Sequence, residues 1–429
     1  ADAKSLCSTA LFVGMVIGQV GLGFLGDWLG RRQALVTALF LGIVGSLGSA
    51  LSYGPGVFLQ VALWRFILGI GAGGVYPIAA TYAKESCPDP HLQATVVAFV
   101  FSMQGLGHFL APATTYLVLQ TVESADLQWR LNLGFGALQL IGVLCLLLAI
   151  EGKMKKKKKT VTIAPPQVEE DGEGSVDSGD APVSLPMSPR NSSANKAQQG
   201  LWGSLCTSLV EVLRLLRDPE QLKLVVGAAG TWFLFDVTFY GNTLFQGQVL
   251  ENVFGATETT REVARQEMVV YAFAVPGYYL ALFFMARMGP KIMQLQGFVL
   301  MALLYALIGL FWNALDRVSP TALLLLYGLT FLFSNFGPNS TTFVLPSLTF
   351  PARGRSSLNG ICAAMGKLGA IVGSSCFSPL SEEWGVPHVL VLCGVIALLG
   401  ALLSLLFVKS AKELEEIGVK ETSKSDPRL

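Results

Sequence analysis

The chain has 429 residues, of which 52% are hydrophobic and only 14% are charged, whereas soluble domains carry nearer a quarter charged residues. Its mean hydropathy of +0.55 therefore makes a membrane protein the first class to consider. The net charge of +1 and the seven scattered cysteines give no support to nucleic-acid binding, a disulfide framework or a metal site.

Apolar runs long enough to cross a bilayer, about 20 residues each, occur in two blocks. The first block contains five, at residues 5–25, 33–52, 57–83, 93–121 and 131–150, and the second contains six, at 222–248, 268–286, 292–315, 321–349, 357–380 and 387–408. We therefore predict an all-α membrane protein with about eleven transmembrane helices. Because the first block is one helix short, we expect the first helix of a set of twelve to be missing from this sequence.

The distribution of positive charge predicts the orientation in the membrane. Basic residues gather at Arg31 and Arg32, at Lys153 and 155–159, at 287–291, and at Arg353 and Arg355. If the helices alternate in direction, all four groups lie on one side. We expect that side, with the C-terminus, to be cytoplasmic, and the membrane to be the plasma membrane.

Four regions follow from this pattern: a first helical half at 1–151, a linker at 152–220, a second helical half at 221–409 and a cytoplasmic tail at 410–429. Residues 160–200 are rich in Pro, Ser, Gly and acids, which predicts disorder. Residues 201–219 have apolar side chains on one helical face, which predicts a helix on the cytoplasmic surface. The lysine run before them is either a topogenic signal or a contact for anionic lipid.

The loop between the first two predicted helices reads GDWLGRR and contributes Gly26, Asp27, Gly30, Arg31 and Arg32. The glycines permit a tight turn. The aspartate can cap the following helix or pair with a basic group across the cytoplasmic face. This spacing resembles the loop signature of the major facilitator superfamily, and ARMGPK at 286–291 is a weaker echo in the second half.

Four other stretches extend the resemblance. They are WRFILGIGAGGVYPIAATYAKES (64–86), TWFLFDVTFYGNTLFQ (231–246), FSNFGPNSTTFVLPSLTFPARGRSS (333–357) and GICAAMGKLGAIVGS (360–374). Together they resemble the phosphate:proton symporters of fungi and plants, over nearly all of the chain except the linker and the termini. The resemblance implies two pseudosymmetric halves around a central site that opens alternately to either side, with inorganic phosphate and protons as substrates.

The carboxylate Asp236 lies alone among aromatic and aliphatic residues. It is four residues from Trp232 and four from Tyr240, so the three share one helical face. A polar group at that depth should face the bundle or a water-filled cavity. Burial favours the protonated carboxyl, which can donate to an anion that the ionised form would repel. Lys367 supplies a positive charge for the anion; a purely structural Asp–Lys pair is the alternative.

The resemblance also implies which side chains bind the anion. The matching positions for the anion are Tyr76, Gln104, Trp232, Asp236, Tyr240, Asn339 and Lys367. Asp236 is the expected proton-coupling group because it is the obvious carboxylate left within the apolar segments. All except Asp236 can donate a hydrogen bond while neutral or cationic, although any one of the aromatic residues could belong to the core. The chain departs from the family at Val75, where relatives usually carry an aspartate, and at the absent first helix, where they carry a second carboxylate.

We therefore expect a secondary transporter that carries inorganic phosphate with protons. A transporter of an organic phosphate or another anion, with altered coupling, remains an alternative within the same class. A phosphate sensor that does not transport is the alternative from another class. An enzyme is not expected, because no nucleophile–base pair or metal set stands out, and no cofactor is implied.

Overall fold

The computed structural model describes residues 3–163, 201–243, 245–255, 259–410 and 412–414, and those residues form helices and turns without a strand. The helices are α1 (Ala3–Trp28), α2 (Arg31–Ala50), α3 (Val57–Ser86), α4 (Pro90–Thr121), α5 (Ala125–Ile163), α6 (Leu201–Arg217), α7 (Pro219–Thr243), α8 (Gln246–Phe254), α9 (Thr260–Val318), α10 (Pro320–Asn335), α11 (Pro338–Thr349), α12 (Arg355–Trp384) and α13 (Val386–Phe407).

The helix boundaries have local causes in the sequence. α4 starts at Pro90 behind Asp89, and α10 starts at Pro320 behind Ser319; in both cases the preceding side chain caps the helix. Proline suits the first helical position because no N–H partner is needed there. The long α9 changes direction at Gly289, where φ is +74°, a conformation that glycine adopts at little cost.

Ten segments among the described residues are long and apolar enough to span a membrane. The longest, Thr260–Leu315, has 56 residues, and its break at Gly289 divides it into two crossings. The structure therefore agrees with the eleven predicted spans. One predicted run, 321–349, is divided in the structure, because α10 ends at Asn335 and α11 starts at Pro338.

Glycines let the helices of each half pack closely. A Cβ atom on Gly18 of α1 would lie 2.0 Å from the carbonyl oxygen of Ile70 in α3, so only glycine permits this approach. The helices α1–α5 form one half, and the helices from α7 onward form the other. The halves meet where α1 packs on α12 and where α4 packs on α9, so the space between these two contacts is the centre of the molecule.

The segment between the halves is described in part. α5 continues as a helix to Ile163, and α6 occupies Leu201–Arg217, where the surface helix was predicted. Val212 of α6 is buried, whereas Leu209 and Leu213 on the same apolar face are exposed, so part of that face does not contact the protein. Residues 164–200 lie outside the described residues, and disorder there stays a prediction.

Candidate functional site

A small cavity of about 10 Å³ lies between the two halves, which is close to the space that one water molecule needs. Side chains of α3 and α4 line it from the first half, and side chains of α7, α11 and α12 line it from the second. Its lining residues are Tyr76, Phe101, Gln104, Trp232, Asp236, Phe239, Tyr240, Asn339 and Lys367. The structure therefore brings all seven residues of the predicted anion site together, and it adds Phe101 and Phe239.

An ion pair lies at the centre of this cavity. The Lys367 Nζ atom donates to Asp236 Oδ2 at 2.9 Å and to the Tyr240 hydroxyl at 3.1 Å. The Asp236 and Lys367 side chains are each only 3% exposed. Removing two charges from water is costly, and their attraction offsets that cost only while both partners are present. The pair is therefore sensitive to anything that neutralises the carboxylate.

One face of α7 carries the aromatic part of the site. Trp232, Asp236 and Tyr240 follow one another at intervals of four residues, so they point to the same side of the helix. The Trp232 ring packs on α12 where Gly366 leaves room, since a Cβ atom there would lie 2.4 Å from the indole. The Lys367 Nζ atom also lies 4.7 Å from the centre of the Tyr240 ring, a favourable cation–π distance.

Polar side chains complete the cavity from both halves. The Tyr76 hydroxyl donates to Gln104 Oε1 at 3.4 Å, which links α3 to α4. On α11 the Asn339 amide donates to the Tyr278 hydroxyl at 3.0 Å and to Asn335 Oδ1 at 2.7 Å. Sequence reasoning missed Tyr278 and Asn335 as supporting residues. The one available signal was the spacing of the two asparagines, four apart in an apolar segment.

The charge of the cavity depends on one proton. With Asp236 ionised and Lys367 protonated, the two charges cancel. With Asp236 protonated, the site carries a net charge of +1 and hydrogen-bond donors around it, which suits an oxyanion. The same side chains therefore offer an anion a neutral site or a positively charged one, according to the protonation of one carboxyl group.

The predicted loop motif lies at the end of the bundle that carries Arg31, Arg353 and Arg355, here called the basic face. Asp27 pairs with Arg31, and the Gly26 carbonyl oxygen accepts from Arg31 as well. Gly30 starts α2 with φ +99°, and Arg32 follows in the first turn of that helix. The tight turn predicted for this loop is thus present.

Asp27 also caps a helix, but the helix belongs to the other half. Its carboxylate accepts from the backbone N–H of Ser357 at 2.7 Å and from the hydroxyl of that residue at 2.6 Å. Both groups lie in the first turn of α12, where the helix dipole favours a negative charge. The sequence predicted for Asp27 either a cap on the following helix or an ion pair; the ion pair is present, whereas the cap is on α12 and not on α2.

Glu85 joins the halves a second time on the basic face. Its carboxylate accepts from Arg31 at 3.1 Å and from Arg355 at 2.9 Å. Asp27, Arg31, Glu85 and Arg355 form a network that we call the gate. Sequence reasoning did not include Glu85, because no local pattern relates it to Arg355, 270 residues away. The two halves are therefore joined by several polar contacts on the basic face.

Within the described ranges, no group of three or more His, Cys, Asp or Glu side chains has the arrangement of a metal site. The chemistry that the cavity offers is hydrogen bonding and charge, from one cation, one carboxyl group and neutral donors. This combination suits reversible binding of a small anion.

Two packed helical halves around a small polar cavity are the fold of the major facilitator superfamily. The structure of the proton:xylose symporter XylE bound to 6-bromo-6-deoxy-D-glucose has this fold, with a TM-score of 0.69, 21% identity and coverage of 96% of this chain and 88% of that one. The fucose:proton symporter of E. coli has a TM-score of 0.66 at 12% identity, covering 95% of this chain and 91% of its own. The predicted fold class is confirmed.

The sugar (and other) transporter family model matches residues 2–421, and the chain belongs to that family. It is thus an integral membrane protein. Inorganic phosphate transporter 1-6 of Oryza sativa subsp. japonica is 33% identical over 95% of this chain and 81% of its own length. Low affinity inorganic phosphate transporter 1 of Petunia hybrida is 31% identical over 95% of this chain and 82% of its own. The predicted relationship to plant phosphate transporters is confirmed.

Proposed function

We propose that this protein is a secondary transporter that carries inorganic phosphate together with protons by alternating access. The names of the plant relatives support phosphate as the substrate. The observation that carries the proposal is the buried Asp236–Lys367 pair in a small polar cavity between the halves.

The pair provides a physical basis for coupling. While Asp236 is ionised, the charge of Lys367 is already engaged, and an arriving phosphate meets a carboxylate that repels it. A proton on Asp236 removes that repulsion, frees Lys367 to bind the anion and adds one hydrogen-bond donor. Proton and phosphate therefore bind best together, so the loaded site contains both.

The neutral side chains around the pair supply the remaining contacts in this proposal. Tyr76, Gln104, Trp232, Tyr240 and Asn339 each have a donor group for a phosphate oxygen. In a site away from bulk water such hydrogen bonds are stronger than in solution. The cavity is narrow, at about 10 Å³, so it must widen to admit any anion, and a small inorganic anion requires less widening than a bulky organic phosphate.

The gate supports alternating access. A hydrogen bond connects α1 with the start of α12, and an ion pair connects α3 with it, so these contacts must break before the cavity can open toward the basic face. We assign that face to the cytoplasm of the plasma membrane, with the 152–220 linker and the C-terminal tail on the same side. Anionic lipid is the partner we assign to the lysine run at 155–159, and catalysis is not part of the proposed role.

The test is uptake of labelled phosphate by the purified protein in lipid vesicles with an imposed pH gradient. The wild type should concentrate phosphate when the outside is acidic, and Lys367→Gln should abolish accumulation. Lys223→Gln is the control, because that lysine is 58% exposed and pairs only with Glu220 at the surface. Phosphate binding without uptake by the wild type would favour a sensor, and uptake of an organic phosphate alone would favour the other substrate class.

A further inference from the structure

Four polar side chains between the cavity and the gate have unpaired atoms. They are Gln19, Thr81, Ser356 and Asn359, each fully buried, and the side-chain oxygen and nitrogen atoms of these residues have no hydrogen-bond partner. Buried polar groups are nearly always paired, so each exception calls for an explanation. We call this set the polar cluster.

The polar cluster lies on the helix faces that end at the gate. In α12, Asn359 is eight residues before Lys367 and four after Arg355, so it lies on the same face, about 12 Å from the cavity and about 6 Å from the gate. In α1, Gln19 lies two turns before Asp27 on one face. In α3, Thr81 lies one turn before Glu85.

The close contact of α1 and α12 explains why these groups are dry. The Gln19 carbonyl oxygen would lie 2.1 Å from a Cβ atom on Gly360, and the Ser356 carbonyl oxygen would lie 2.7 Å from one on Gly23. Two helix backbones in such contact leave no room for water. Separation of α1 from α12 on opening of the gate would expose the polar cluster along the widened path.

We infer that the polar cluster is a second anion station, which phosphate contacts between the central site and the basic face; the inference rests on the proposed function. The two carboxamides and two hydroxyls provide donors for phosphate oxygens. They carry no charge, so binding there is weaker than at Lys367 and does not trap the anion. An anion can pass along such a path only if each site binds it weakly enough for it to leave.

The first test replaces the carboxamides with a side chain of similar size that cannot donate. In lipid vesicles, Asn359→Leu and Gln19→Leu should each lower the kcat for labelled phosphate about ten- to a hundredfold, the equivalent of one lost hydrogen bond to a charged group. The Kd for phosphate, measured by calorimetry, should stay within about twofold of the wild-type value, because the central site is intact.

Thermal unfolding distinguishes a buried carboxamide that has no hydrogen-bond partner from a buried one that has partners. Gln19→Leu should raise the Tm, because it replaces an unpaired polar group with an apolar one. The matched control is Gln294→Leu, because Gln294 is equally buried but bonds to Ser404 and Thr341; this change should lower the Tm. Equal losses in both variants would overturn the inference.

Asn359→Asp distinguishes an anion contact from a role in opening the gate. An ionised carboxylate of the same shape would repel phosphate and slow turnover, like the Leu variant. If the residue only adjusted gate opening, a charge that prefers water would favour the open state, and turnover would rise. A rise, or wild-type turnover in both Asn359 variants, overturns the second station. No phosphate uptake by the wild type would instead contradict the proposed function, and with it the assignment of phosphate to the cluster.

Discussion

Asp236 and Lys367 decide the chemistry of the site at the scale of single residues. The two groups lie on different helices, α7 and α12, and each is the nearest counter-charge of the other at 2.9 Å. Burial alone favours a neutral carboxyl group, whereas the lysine favours an ionised one. An anion that competes for the lysine shifts this balance toward the protonated carboxyl, which is the coupling that the proposed function requires.

Asp236→Asn should separate binding from coupling. Asparagine has the shape of the protonated acid and leaves Lys367 free, so phosphate exchange across the membrane should persist and keep only the pH dependence that the ionisation of phosphate itself causes. Accumulation driven by a pH gradient should fall to the equilibrium ratio. The measurement is labelled phosphate exchange and net uptake in vesicles between about pH 5 and pH 8.

Asp126→Asn is the matched control for that experiment. Asp126 is 65% exposed and pairs with Arg130 at the surface, where such pairs contribute little, so this variant should accumulate phosphate like the wild type. Accumulation by Asp236→Asn with unchanged pH dependence would contradict the role of Asp236 as the coupling group.

Val75→Asp should add a second titrating group beside the site. Val75 precedes Tyr76 on α3 and packs against a small apolar cluster that includes Leu22 and Ile78. A carboxyl group placed there near an anion must be protonated when phosphate is bound. Phosphate affinity should therefore fall more steeply as the pH rises than in the wild type. The measurement is the Kd for phosphate across about pH 5 to 8, and Val75→Asn is the control that does not titrate. If the Kd of the wild type depends on pH as steeply as that of the aspartate variant, a further titrating group must be present.

At the scale of elements, the contact between α1 and α12 closes the basic face. Gly23 and Gly360 allow the two backbones to touch, and the Asp27 carboxylate then reaches the start of α12. Helix α1, whose glycines let it pack on α3 within its own half, thus also contacts the other half. A side chain added at this contact would destabilise the conformation in which the two helices touch.

Gly23→Ala should destabilise the closed basic face. The added Cβ atom would lie 2.7 Å from the Ser356 carbonyl oxygen, and since backbone atoms cannot rotate away, the helices must move apart at a cost of about 1–3 kcal/mol. The Tm of the purified protein should fall accordingly. Gly21→Ala in the same helix is the control, because a Cβ atom there meets nothing within 4 Å. The Tm of this variant should stay the same or rise, because alanine favours the helix more than glycine does. A similar fall in both variants would show that α1 tolerates no alanine, rather than that this contact is tight.

The elements were largely predictable from the sequence, because a membrane span is a local property. About 20 apolar residues identify a helix wherever it packs, and the GDWLGRR loop is a local motif. The division between α10 and α11 at Gly337 was missed, because hydropathy does not register a backbone break inside an apolar run. The seven cavity residues came from a family resemblance, whereas Glu85 and the polar cluster depend on packing between distant helices that no local pattern encodes.

At the scale of the whole molecule, the two halves meet along α1 with α12 and along α4 with α9. The cavity lies between these contacts, and the gate lies at one end of them. Access from the basic face requires α1 and α12 to separate, and rigid halves can do so by rocking about the central site. Transport should therefore stop when the two helices cannot separate.

A disulfide between Gly26→Cys and Ser356→Cys provides that test. A Cβ atom on Gly26 would lie 3.3 Å from the Ser356 Cβ atom, close to the span of about 3.5–4.5 Å found in disulfides. The pair should be introduced after the seven native cysteines, all of which are free thiols, have been replaced by serine. Oxidation should abolish phosphate uptake, and reduction should restore it. Phosphate uptake by either single cysteine variant should not change when oxidant is added. Full uptake by the cross-linked protein would contradict opening of the α1–α12 contact in the transport cycle.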